Sequence, residues 1–128
     1  MKILKCTDII KITTPTEEPV SVYLSPLSVS QKMELSSKMK MVKGEEIADS
    51  QAQAFLCIKY CIKKIEGVQN YDGTEYVPEM DGTTLSDSSV DDIMTVLSEA
   101  SLVLPVILAA NKTITGLKDV TVEVNPKP

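Results

Sequence analysis

Residues 45–66 read EEIADSQAQAFLCIKYCIKKIE, and the reading of this stretch decides the fold. Ile47, Gln51, Ala54, Phe55, Ile58, Ile62 and Ile65 recur at helical spacing, while Leu56, Cys57 and Cys61 widen the apolar arc. Glu45, Glu46 and Asp49 enrich the first turn and Lys59, Lys63 and Lys64 the last turns, as the helix macrodipole prefers. Gly67 then supplies a stop. The spacing predicts one central core helix over 45–66.

Upstream of it, residues 28–43 are expected to form another helix. Ser28 is a natural N-cap, and Gln31 three positions later completes a capping box. Gly44 suits the residue after the helix end, with Lys38, Lys40 and Lys43 complementing the negative pole. The apolar stripe is ragged: Leu35, Met39 and Val42 share a face, whereas Met33 and Met41 lie off it. Three of the chain's six methionines fall here, so the segment is either gap-filling core or an adaptable partner surface. Residues 1–27 read as a β-hairpin. Ile10 and Ile12 alternate with Lys11 and Thr13, and Val20, Val22 and Leu24 with Ser21, Tyr23 and Ser25. The turn lies in Thr14–Pro19, whose two prolines interrupt the ladder.

Downstream, residues 68–84 form a loop with two Asp-Gly pairs, and Tyr71–Tyr76 reads as a short hairpin around a type I′ turn. Asn70, Asp72, Gly73 and Glu79 fall on calcium-loop positions, but Val68 stands where the first ligand belongs, so no metal site is expected. The chain then returns to helix. Ser86–Ser89 offers caps, Ser88 with Asp91 has capping-box spacing, and Val90, Ile93, Met94 and Leu97 make a clean stripe. Leu102–Ala110 is apolar almost all round, which predicts burial between elements or in an interface, with Pro105 kinking it or opening a separate helix. Val120, Val122 and Val124 alternate within 113–128, a flexible tail or edge strand. The expected fold is therefore α+β but predominantly α-helical, in a single domain over 1–128. An N-terminal β-hairpin (1–27) leads into a small helical bundle (28–112) carrying the 68–84 Asp-Gly insertion.

Composition excludes more than it selects. The chain has 128 residues and a formal charge of −5; all 13 basic residues are lysine, and Arg, His and Trp are absent. Imidazole catalysis is thereby unavailable, and an acidic chain without Arg is poorly suited to nucleic acid. No phosphate loop, nucleophile elbow or zinc signature occurs, so no catalytic residue, cofactor or metal is expected and the chain reads as non-enzymatic. Lys5, Asp8 and Lys11 interrupt any signal-peptide core, and no apolar run approaches the roughly 20 residues of a spanning helix. The three cysteines, Cys6, Cys57 and Cys61, read as reduced thiols of a cytoplasmic protein, with no membrane association.

The succession of short motifs resembles the small tail assembly chaperones of long-tailed bacteriophages over residues 20–110. A hairpin ending in Tyr23-Leu24-Ser25-Pro26-Leu27-Ser28 precedes a lysine-rich helix, and a central helix closing in Ile62-Lys63-Lys64-Ile65-Glu66-Gly67 matches the family's "I-K-x-I-x-G" helix end. An Asp-Gly turn follows, and Leu85-Ser86-Asp87-Ser88-Ser89-Val90-Asp91-Asp92-Ile93 matches its "L-[ST]-D-x-x-V-D-[DE]-[IL]". The region around Pro105 departs most from the family pattern. The resemblance implies a host-cytoplasmic protein that coats the tape-measure protein until tail-tube subunits polymerise, and that is missing from the mature virion. The tail-tube protein and further copies of the chain are additional possible partners. Met33, Met39, Met41, Leu102, Val103, Val106 and Ile107 are the candidate partner-binding residues. The family also implies a longer frameshifted product, and Asn125-Pro126-Lys127 are residues that a slippery heptamer can encode. Two other readings stand beside it: a structural tail or connector subunit of the virion, and a small host-directed regulatory protein.

Overall fold

A computed structural model describes residues 1–125; 126–128, on which most of the recoding expectation falls, lie outside the described residues. The chain is organised by a four-stranded antiparallel sheet rather than by a helical bundle. β1 (Ile9–Thr13) and β2 (Ser21–Leu24) form the expected hairpin, β5 (Ile62–Glu66) pairs with β2, and β8 (Thr121–Asn125) pairs with β1, giving the order β5-β2-β1-β8. Helices α2 (Ser50–Cys61), α3 (Asp87–Glu99) and α4 (Val103–Ala110) supply the apolar cover. Ile10, Ile12, Val22, Leu24, Ile62 and Ile65 meet Ile58, Ile93, Leu97 and Val106 in one continuous core. Alternation along each strand leaves the other sheet face to polar groups, as expected of a sheet covered on one side. There the row Glu123–Lys11–Tyr23–Lys64 crosses four strands. The Lys11 and Lys64 ammonium groups stand 5.4 and 5.3 Å from the Tyr23 ring centre.

This architecture overturns the predominantly helical expectation, and the fault lies in two predicted helices. The stretch 45–66 is three elements: β4 (Glu45–Ala48), α2 and β5. The true N-cap is Asp49, whose Oδ1 accepts from the Ala52 N–H at 3.1 Å, and the helix ends without a glycine as Ile62 turns extended. Likewise 28–43 is α1 (Val29–Ser36) followed by β3 (Met39–Val42). Gly44 does not end a helix: with Lys43 it turns β3 into β4, their φ values of +52° and +81° matching the type I′ hairpin turn.

Other local expectations are met or adjusted. Ser28 and Gln31 form the full capping box of α1, at 3.2 and 3.0 Å. Helix α3 is capped by Ser86, which accepts from Ser89 N–H, and not by Ser88. The Asp-Gly hairpin expected over Tyr71–Tyr76 is a turn over Asn70–Gly73 closed by a single Gln69–Glu75 bridge and is not type I′, while the second Asp-Gly pair, where no hairpin is expected, joins β6 (Met80–Asp81) to β7 (Thr84–Leu85) with Gly82 left-handed. Pro105 sits in the first turn of a separate helix, where its missing N–H costs nothing. Of the two options for the tail, the edge strand is the observed one.

Helices α3 and α4, bent by 117° to one another, are joined by a Schellman corner. Leu102 N–H bonds Leu97 C=O at 2.8 Å and Ser101 N–H bonds Ser98 C=O at 3.3 Å, which places Ser101 at φ +57°. A residue with a Cβ pays for that conformation. Ser101→Gly is expected to stabilise the protein by about 0.5–1 kcal/mol, read as a higher urea midpoint at unchanged slope.

Candidate partner-binding surface

The segment from α1 to β4 contains no buried residue. α1 is held by half-buried Leu35, which packs on the core, and by the Tyr60 hydroxyl, which donates to Glu34 Oε2 at 2.8 Å. That carboxylate raises the Tyr60 phenol above its ordinary pKa. The β3–β4 hairpin is exposed at every residue on both faces and makes its principal contacts within itself. Its base is clasped at Lys38, whose carbonyl accepts from the Asp49 N–H at 2.9 Å. A two-stranded ribbon of this length is marginal alone in water.

Among its charged residues stand large apolar side chains where solvent-facing positions are ordinarily polar. Val29 and Met33 on α1 are 73% and 67% exposed; Met39, Met41, Val42 and Ile47 on the hairpin follow at 40–66%. The candidate methionines Met33, Met39 and Met41 are thus all at the surface, but on two elements instead of one helix. The remaining candidates separate. Leu102 and Val106 are fully buried, Val103 and Ile107 half-buried, so the apolar run of α4 is consumed by the chain's own core. Two of the four therefore have no surface to offer a partner. The exposed residue in this region is Leu104, one helical position away from those singled out by sequence.

A cavity of about 860 Å³ is an open groove where the β1–β2 connection meets the α3–α4 corner. Val20, Val96, Leu104 and Val120 line its apolar part, and Glu18 and Glu99 contribute carboxyl groups. Sequence reasoning missed it because its walls come from segments far apart in the chain. Among the described residues no three of Cys, Asp and Glu gather as a metal set. In the former calcium candidate, Asp72 Oδ1 accepts from the Thr74 hydroxyl and N–H at 2.6 and 3.0 Å, which lowers the carboxyl pKa. Cys57 and Cys61 are buried and free, and burial pushes the Cys61 thiol well up, so it stays protonated; Cys6 is exposed. No single helix among the described residues is long and apolar enough to cross a membrane.

No family model, curated protein or solved structure matches the chain.

Proposed function

We propose that this chain is a non-enzymatic tail assembly chaperone of a long-tailed bacteriophage, which binds the tape-measure protein in the host cytoplasm and keeps it soluble until the tail tube polymerises. The observation that carries the reading is the exposed apolar series Val29, Met33, Met39, Met41, Val42 and Ile47 on one weakly anchored segment. A long helical client presents an apolar stripe that is not uniform along its length. Unbranched, polarisable methionine side chains repack against such a stripe at low cost. The formal charge of −5 keeps the loaded complex dispersed. Of the motifs over residues 20–110, Leu85–Ile93 opens helix α3 as the resemblance implies and supports the same reading, whereas Ile62–Gly67 lies on and after strand β5 and not at a helix end.

A virion tail or connector subunit is the second reading, favoured by the open outer edge of β8, to which a neighbouring subunit's strand could be added. The two part cleanly. With a tagged chain expressed during infection, mass spectrometry of lysate and of purified particles is expected to find it absent from particles and bound to one very long helical protein in lysate. Met33→Ser combined with Met41→Ser is expected to lower that capture at least severalfold. Stoichiometric presence in particles would defeat the chaperone reading.

A further inference from the structure

The β3–β4 arm and the β8 edge are complementary to each other. We infer that the free edge of β3 in one copy of the chain adds, antiparallel, to the free edge of β8 in a second copy, with Lys40 opposite Glu123.

In β1, Thr14 N–H donates to Val20 C=O at 3.0 Å, so by alternation Ile12 and Ile10 also turn their backbone groups to β2. Ile9, Lys11 and Thr13 turn theirs to β8, where they oppose Asn125, Glu123 and Thr121. The backbone groups of Val122 and Val124 are therefore the ones left facing outward. In the arm, Val42 and Glu45 flank the two-residue turn and face each other, so Met41 and Met39 turn their backbone groups to the open side of β3. Two strands with matching free amides are thus available in the same protein.

The side chains then fix the register. Pairing Met39 with Val124 and Met41 with Val122 puts both methionines on the core face of the sheet. There Val122 is only half-buried and Val124 is 37% exposed. The same register sets Lys40 opposite Glu123 on the polar face, extending the existing row to Lys40–Glu123–Lys11–Tyr23–Lys64 with oppositely charged groups adjacent. Lys40 is exposed and has no ion pair among the described residues. The other arm edge is a poor alternative, because β4 would bring Glu45 and Glu46 towards Glu123. Two copies of β8 paired about their centres would oppose Glu123 with itself. β8 also lacks the lysine, proline or bulge that ordinarily protects an open edge, whereas β5 at the opposite edge has a bulge and is flanked by β7. Reciprocal exchange closes a dimer, and one-way donation continues into a chain. The inference does not rest on the chaperone reading; where both hold, client and second copy compete for Met39 and Met41.

The test uses the purified 128-residue chain alone, so its failure is separate from any failure of client capture. Sedimentation velocity over a wide concentration range is expected to show reversible association of the unaltered protein, weakened by salt. Lys40→Glu and Glu123→Lys should each raise the dissociation constant about tenfold or more, and the double variant should recover most of it. Should a reversal lower the melting temperature, Lys40→Gln and Glu123→Gln carry the same comparison with smaller, severalfold effects. A protein that stays monomeric throughout overturns the inference. So does association indifferent to Lys40, or association strengthened by Glu123→Gln, which would indicate β8 paired with β8.

Discussion

Gly67→Ala is expected to lower the melting temperature by about 10 °C. Gly67 follows β5 at φ +84°, a conformation that alone costs a residue with a Cβ about 1–2 kcal/mol. The added Cβ would also stand 2.1 Å from the carbonyl oxygen of Pro19, a backbone atom that no rotamer change can move. Relief requires shifting the β1–β2 connection away from β5, an overpacking cost of about 1–3 kcal/mol more. Gly116 is the control: φ is +80°, but a Cβ there meets nothing within 4 Å. Gly116→Ala should show the conformational cost without the collision, and paired thermal melts give the difference. Equal losses in the two variants would mean that the close approach to Pro19 does not matter.

Leu102→Ala carries the second large effect. The side chain is fully buried, and its N–H closes the corner onto Leu97, itself fully buried. Truncating it leaves a cavity beneath the α3–α4 junction, which costs about 2–5 kcal/mol in a core that cannot collapse freely. Leu104 stands two residues away and is 65% exposed; Leu104→Ala should change stability by no more than about 0.5 kcal/mol. Equilibrium urea unfolding of both separates a core role for the α4 run from an interface role. If Leu102→Ala unfolds at the unaltered midpoint, the placement of this residue in the core is wrong.

Why the sequence misleads at 45–66 is visible in β5. Residues on one face of a strand normally lie two apart, but Ile62 pairs with Leu24 and Ile65 with Val22, while Tyr23 opposes Lys64. Lys63 is the extra residue of a bulge, so Ile62 and Ile65 reach the same face three positions apart. Together with Ile58 they reproduce the i, i+4, i+7 spacing of a helix, and periodicity cannot distinguish the two. The arm misleads for another reason. Met39 to Ala48 buries nothing, so no single-faced pattern marks it, and Gly44 fits a helix end as well as a hairpin turn. By contrast β1, β2, the α1 capping box and the α3 stripe were legible, because there local preference and burial agree. Of the candidate site, composition pointed to the methionines; it could not separate Leu102 from Leu104, since the side buried by α4 depends on the sheet beneath it.

The strand order has a temporal consequence. β1 and β2 meet across a short connection, but β1 gains its second neighbour only when β8 arrives from roughly a hundred residues further along the chain. That closure belongs among the slow steps of folding, since its entropy must be lost before any ladder bond rewards it. Until then the Ile9–Thr13 edge is bare and able to accept another strand. The same β8 whose outer edge welcomes a neighbour is therefore, during folding, the latch that closes the inner one.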